Sequence, residues 1–232
     1  MSGPTENPLS AARLVVFDCD GTLVDGQHAI SAAMADAFRF HRMASPDPSV
    51  IRRVVGLPLV EAVARLAPGA ESRLCSALAL TYKESFQRLR QSPDYFEPLF
   101  PGVPEVLEQL QELGYVLGIA TGKSTRGLTA TLERHGLSGH FAVLKTSDDG
   151  PGKPDPHMLL CAMSDTGAVP GTTVMIGDTV FDMEMARGAR VPAIGVAWGY
   201  HESAELTAAG AVAVVDAFGE LPDMVKRLIG RA

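Results

Sequence analysis

Hydrophobic residues along this chain follow two rhythms. Short apolar runs rich in β-branched and aromatic residues occur at Leu14-Val15-Val16-Phe17 and at 115–120, 141–145, 173–176, 193–196 and 212–215. Each reads as a buried strand. Between and after them, apolar residues recur at helical spacing over 103–113, 125–135, 156–164, 180–187 and 221–229. Gly114 and Gly136 stop the first two of these helices. Strands separated by helices imply βαβ units and a parallel sheet, so the fold class is α/β.

One stretch breaks this alternation. Residues 27–91 carry helical patterns without a convincing strand. Ala29, Ala33, Ala37 and Phe40 share a face, with Ile30, Met34 and Phe38 beside them. Val54, Val55, Leu59, Val60, Val63 and Leu66 give further helical turns broken at Pro58, and Leu74, Leu78, Tyr82 and Phe86 mark another helix. Residues 92–98, with Pro93 and Pro98, read as a linker. The sheet domain is therefore expected to be discontinuous: a disordered tail at 1–12, a core from 13–25 and 93–232, and a helical insertion at 26–92 lying over the active edge of the sheet.

Composition narrows the class. The 232 residues are 46% hydrophobic and 20% charged, ordinary globular values, with a net charge of −7 and a pI near 5.3. No basic block appears, so nucleic acid and anionic membrane surfaces are poor partners. Cys19, Cys75 and Cys161 form no Cys-x-x-Cys pattern, which argues against a disulfide framework or zinc site and for a reducing compartment. The N-terminal residues lack a basic segment followed by an apolar one, and no apolar stretch is long enough to span a bilayer. The expectation is a soluble, cytoplasmic protein.

The candidate chemistry sits where the strands end. Asp18-Cys19-Asp20-Gly21-Thr22-Leu23 follows the first strand. In an open α/β sheet, ligands bind beyond the carboxyl ends of the strands. Bunched acids are costly there unless something positive joins them, and a hard divalent cation takes oxygen ligands. Three more polar groups follow: Thr121-Gly122-Lys123 after the second strand, Gly152-Lys153-Pro154 before a helix, and Gly177-Asp178-Thr179-Val180-Phe181-Asp182 after the 173–176 strand. Singly, each has an ordinary reading as a turn or a helix cap. Together and in this order, they are hard to explain as structure alone.

In these four motifs the chain resembles the haloacid-dehalogenase superfamily of hydrolases that carry a helical cap. Trp198-Gly199-Tyr200 and Gly152-Lys153-Pro154 resemble its phosphoglycolate-phosphatase-like branch. The resemblance implies a Rossmann-like core with an inserted cap, and Mg²⁺ as cofactor. It implies Asp18 as nucleophile, Asp20 as proton donor and acceptor, and Thr121, Gly122 and Lys153 as phosphate-binding groups. The metal would be held by Asp18, the Asp20 carbonyl and Asp178, with Asp182 acting through water or orienting Lys153. An acid at Asp20 favours phosphoryl transfer over dehalogenation.

The implied reaction is Mg²⁺-dependent hydrolysis of a small phosphorylated metabolite, foremost 2-phosphoglycolate, through an aspartyl phosphate. Pyrophosphatase, nucleotidase and sugar phosphomutase are alternatives on this scaffold, and a non-catalytic binding or regulatory module is an alternative of another class. Arg52 and Arg53 are candidate substrate-binding residues, since guanidinium pairs well with planar anions, and Lys123 is another because it lies closer to the motifs. For the two arginines, solvated helix charges are the simpler explanation. Trp198 reads as a loop anchor, Cys19 as packing, and the nine methionines as core filler. The chain is expected to be a monomer or a homodimer. It departs from the branch at Arg190, where glycine is usual: either the helix ends sooner, near Gly188, or Arg190 takes a strained backbone conformation.

Overall fold

Strand β1, Ala12–Phe17, runs through the middle of a six-stranded sheet in a computed structural model, which describes residues 11–93 and 95–230. Four helices follow it: α1 Gln27–Phe40, α2 Pro48–Arg52, α3 Leu59–Leu66 and α4 Ser72–Arg90. The chain then continues as α5 Val103–Glu112, β2 Val116–Ala120, α6 Thr125–Arg134, β3 Val143–Lys145 and α7 His157–Thr166. It ends with β4 Ala168–Gly177, α8 Val180–Gly188, β5 Ala193–Val196, α9 Ser203–Ala209, β6 Ala213–Val215, a single 3-10 turn and α10 Leu221–Ile229.

The strand order is β3-β2-β1-β4-β5-β6, and every pairing is parallel. This is the doubly wound Rossmann order. The chain moves outward from β1 on one side, then crosses back to build the other side. Phe17 lies level with Ile119 and with Ile176, so β1, β2 and β4 end side by side. The loops leaving those three ends necessarily meet in one crevice.

Both faces of the sheet are covered, which is why the strands read as unbroken apolar runs. Val15, Phe17, Ile119 and Ile176 face α5, α6 and α10 through Leu107, Leu128 and Val225. Leu14, Val16 and Met175 face α7 and α8 through Met158, Met163, Met183 and Met185. That second layer gathers five of the nine methionines, whose flexible thioethers fill irregular gaps. Helices α1 to α4 pack around a cluster of their own that includes Ile30, Met34, Phe38, Ile51, Val63 and Leu78.

Several expectations shift at their edges. β1 opens at Ala12, two residues before the apolar run, and pairs there with Ala168; the rest of the expected tail, residues 1–10, lies outside the described residues. β4 begins at Ala168 rather than 173, because a register shift between Ala12 and Leu14 carries pairing past Pro170 and Gly171. Two short helices, α2 and α9, lie outside the stretches of helical apolar spacing. The first starts at Pro48, where the Asp47 carboxylate accepts from the Ser49 N–H at 2.8 Å. α8 ends at Gly188, with Ala189 as its C-cap, and Arg190 also takes the left-handed conformation with φ of 60°. No helix among the described residues is long and apolar enough to cross a membrane.

Candidate active site

Asp18 is the first residue beyond β1, and its N–H still donates to Ile176 O at 2.9 Å, so the sheet fixes its backbone. Its carboxylate is buried, accepts from the Cys19 N–H at 2.6 Å and lies 2.8 Å from Lys153 Nζ. The chain must then turn away sharply. Gly21 takes φ of 83°, and a Cβ there would collide with the Asp178 carboxylate. Both conditions demand glycine.

Asp178 and Asp182 come from the loop after β4 and the first turn of α8. The Asp178 carboxylate accepts from the Thr22 hydroxyl at 2.8 Å and from the Tyr200 N–H at 2.9 Å. Gly199 leaves it room, since a Cβ there would strike the same side chain. Asp182 closes a capping box: its Oδ2 accepts from the Thr179 N–H at 3.0 Å and the Thr179 hydroxyl at 2.7 Å. Its Oδ1 lies 2.5 Å from Lys153 Nζ.

Asp18, Asp178 and Asp182 thus form a buried cluster with ligand oxygens within 4.8 Å of one another. Three carboxylates face one ammonium. Burial pushes Asp18 up despite Lys153, and burial reinforced by Asp18 and Asp182 pushes Asp178 well above the ordinary carboxylate value. Burial alone would lower Lys153, but Asp18 and Asp182 hold it above its usual value. With two negative charges in excess when ionised and only oxygen donors, the cluster fits a hard divalent cation.

The Asp20 carboxylate stands outside that cluster. Its Oδ1 lies 2.5 Å from Lys123 Nζ, which also lies 3.2 Å from Glu97 Oε1. Glu97 Oε2 accepts from the Thr131 hydroxyl at 3.0 Å. Burial raises Asp20, and Lys123 opposes it; for Glu97 the attraction of Lys123 prevails over burial and holds it below its usual value. Glu97 carries no periodic or motif signal in the sequence, because it sits in the proline-containing linker.

Thr121 is buried at the end of β2, its N–H donating to Lys145 O at 3.0 Å and its hydroxyl accepting from the Lys123 N–H at 3.3 Å. A Cβ on Gly122 would come within 3.0 Å of Gly56 O, so the helical insertion touches this loop through its backbone. Asp18, Asp20, Thr121, Gly122 and Lys123 open onto one cavity of about 770 Å³, whose opposite wall includes Ile30, Met34, Val54, Leu57 and Ala79.

The arginines lie elsewhere. Arg53 pairs with Glu205 through two contacts of 2.5 and 2.6 Å, and Arg52 donates to Gly199 O at 3.0 Å. Neither lines the cavity. The structure thus does not bring either arginine to the cavity: each reaches sideways from the end of α2 to the core and ties the two parts together. Lys123 does line the cavity, but its ammonium is engaged by Asp20 and Glu97. Trp198 is a loop anchor, donating to Thr22 O at 3.1 Å and packing on Phe100 and Phe218.

Comparison with known proteins agrees with this architecture. Residues 15–196 match the family model described as haloacid dehalogenase-like hydrolase. A protein of Dickeya dadantii named probable phosphatase IndB is 41% identical over 212 residues, covering 90% of this chain and 91% of its own length. A phosphoglycolate phosphatase of Chromobacterium violaceum is 32% identical, covering 94% of this chain and 98% of its own. The crystal structure of a hydrolase from Pseudomonas syringae superposes with a TM-score of 0.82 at 26% identity, covering 94% of this chain and 99% of that one. Strand order, acid cluster and sequence match converge, and the chain belongs to the haloacid dehalogenase-like hydrolases.

Proposed function

We propose that this chain is a Mg²⁺-dependent phosphatase that hydrolyses a small phosphomonoester through an aspartyl phosphate on Asp18. The observation that carries the reading is the division of Asp18 and Asp20 between two lysines, with both acids opening onto one cavity. A phosphoric monoester hydrolase needs a nucleophile and a proton donor that do not share one environment.

Asp18 would attack phosphorus in line with the leaving oxygen. The P–O bond to that oxygen breaks, and the oxygen takes its proton from Asp20. Water then attacks the aspartyl phosphate, giving its proton to Asp20 and regenerating the Asp18 carboxylate. Lys153 neutralises Asp18 and the transferring group, while the Thr121 hydroxyl and Gly122 N–H donate to phosphoryl oxygens. Mg²⁺ would be held by Asp18, Asp178 and the Asp20 carbonyl, and would supply charge neutralisation for an anion entering an acidic site. Asp182, tied to Lys153, acts by orienting it.

As a substrate, 2-phosphoglycolate is supported by the name of the Chromobacterium violaceum relative. The cavity also leaves space for larger leaving groups, so sugar phosphates belong in the same panel. The decisive assay is p-nitrophenyl phosphate hydrolysis in Mg²⁺ and then in EDTA. Activity is expected in the first, none in the second, and none from Asp18→Asn in either. Asp20→Asn should cost about 10²- to 10⁴-fold on alkyl phosphates and much less on p-nitrophenyl phosphate, whose leaving group departs without a proton. Equal losses on both substrates remove Asp20 from the role of proton donor.

A further inference from the structure

Asp18 and Asp20 are separated by one residue, yet their carboxylates go to different cations. Lys153 takes Asp18, and Lys123 takes Asp20. The second pair is not a surface accident. The Lys123 side chain is 8% exposed and that of Glu97 is fully buried. Lys123 leaves the end of β2, Glu97 precedes α5, and Thr131 lies on α6. Asp20 and Glu97, from two separate segments, therefore meet on the Lys123 ammonium, and Thr131 from a third braces Glu97. A buried carboxylate such as Glu97 is costly unless it is paired, and both of its oxygens are used, one on Lys123 and one on Thr131. On the other flank, a Cβ at Gly26 would come within 2.7 Å of Asp20 Oδ1, so the carboxyl is boxed there as well.

We propose that Lys123, braced by Glu97 and Thr131, is a positioning residue that holds the Asp20 carboxyl on the cavity side of Asp18, outside the acidic cluster. Lys123 thereby acts on the leaving group through Asp20 and does not bind substrate itself. Glu97 serves as the anchor that fixes where the ammonium stands. The inference rests on the reading of Asp20 as proton donor.

The test is leaving-group dependence in Lys123→Met, with Asp20→Asn measured beside it. For Lys123→Met, kcat on the best alkyl phosphate of the panel should fall about 100-fold, the cost of a proton donor misplaced by about an ångström, with at most about a threefold fall on p-nitrophenyl phosphate. KM should stay nearly constant on both. Glu97→Ala should show the same split to a smaller degree, and Glu97→Gln, which keeps an oxygen for Lys123, should recover most of it. A rise in KM with kcat unchanged would make Lys123 a substrate-binding group and overturn the proposal. So would an equal fall in kcat on the two substrates. If Lys123→Met does not fold, the Glu97 variants decide: absence of the split in Glu97→Ala overturns the proposal. If Asp20→Asn itself shows no split, the proton-donor reading falls and this inference with it. If Asp20→Asn shows the split and Lys123→Met does not, the positioning role alone falls.

Discussion

Lys153 Nζ lies 2.5 Å from Asp182 Oδ1, and neither side chain is reached by solvent. The same ammonium is 2.8 Å from Asp18, so its one charge is divided between two acids. Among the described residues, Asp178 is left with a hydroxyl and an amide N–H, and no cation of its own.

That imbalance gives the metal-free protein a pH signature. Asp178, and less strongly Asp18, have folded-state values raised above the ordinary 3.8, chiefly by burial. Over the interval above 3.8, the folded chain holds protons that the unfolded chain has released, so stability falls as pH rises. In EDTA the melting temperature is expected to drop from mildly acidic to neutral pH, and Mg²⁺ should raise it most at the upper end. Asp178→Asn should flatten the EDTA profile and abolish most of the Mg²⁺ shift. Thermal unfolding of both proteins across pH, with and without Mg²⁺, checks this. A Mg²⁺ shift that survives in Asp178→Asn would remove Asp178 from the metal site.

The bidentate contact between Arg53 and Glu205 joins the end of α2 to α9 in the open, with both side chains more than a third exposed. Arg53 holds the Glu205 carboxyl down at about 2, against an ordinary value of 4.5. The pair is therefore complete above 4.5 and is lost only as pH falls toward 2, so it is constant across any neutral assay. Glu205→Gln should leave the melting temperature nearly unchanged, because exposed pairs contribute little to stability. It should raise KM about two- to fivefold by loosening the helical insertion against the core. High salt screens the wild-type pair, so the KM difference should shrink as ionic strength rises. A difference that persists undiminished in high salt would locate the effect outside this contact.

Arg190 occupies a backbone conformation that costs a residue with a Cβ about 1–2 kcal/mol. Its side chain is exposed. Arg190→Gly relieves that cost and gives back part of it in unfolded-chain entropy, for a net gain of about 1 kcal/mol. The melting temperature should rise by about 2–4 °C. Turnover should not change, since α8 presents Asp182 from its opposite end. Scanning calorimetry and kcat measured together test both halves.

What was legible in the sequence is what strands and their ends make visible. An apolar run that stops abruptly at a polar residue marks a strand terminus, and Asp18, Thr121 and Asp178 were found that way. The order of elements likewise implied the parallel sheet. Partners that meet only in three dimensions were not legible. Glu97 lies in a linker whose prolines signal irregular chain and nothing about chemistry. Arg52 and Arg53 were visible as charges, but α2 is five residues long, too short for periodicity to orient them. The first residues of β4 contain Pro170 and Gly171, which argue locally against a strand that long-range pairing nevertheless forms.

β1 is paired from Leu14 to Phe17 with β2 on one side and β4 on the other, whereas the margins, β3 and β6, are three residues each. Fraying begins at such margins and works inward. The backbone amide of Asp18 is hydrogen-bonded to the innermost ladder, so it is among the last to be released. Catalytic competence and the global fold should accordingly disappear in a single step, while the helical insertion and the outer strands breathe without disturbing the floor of the site.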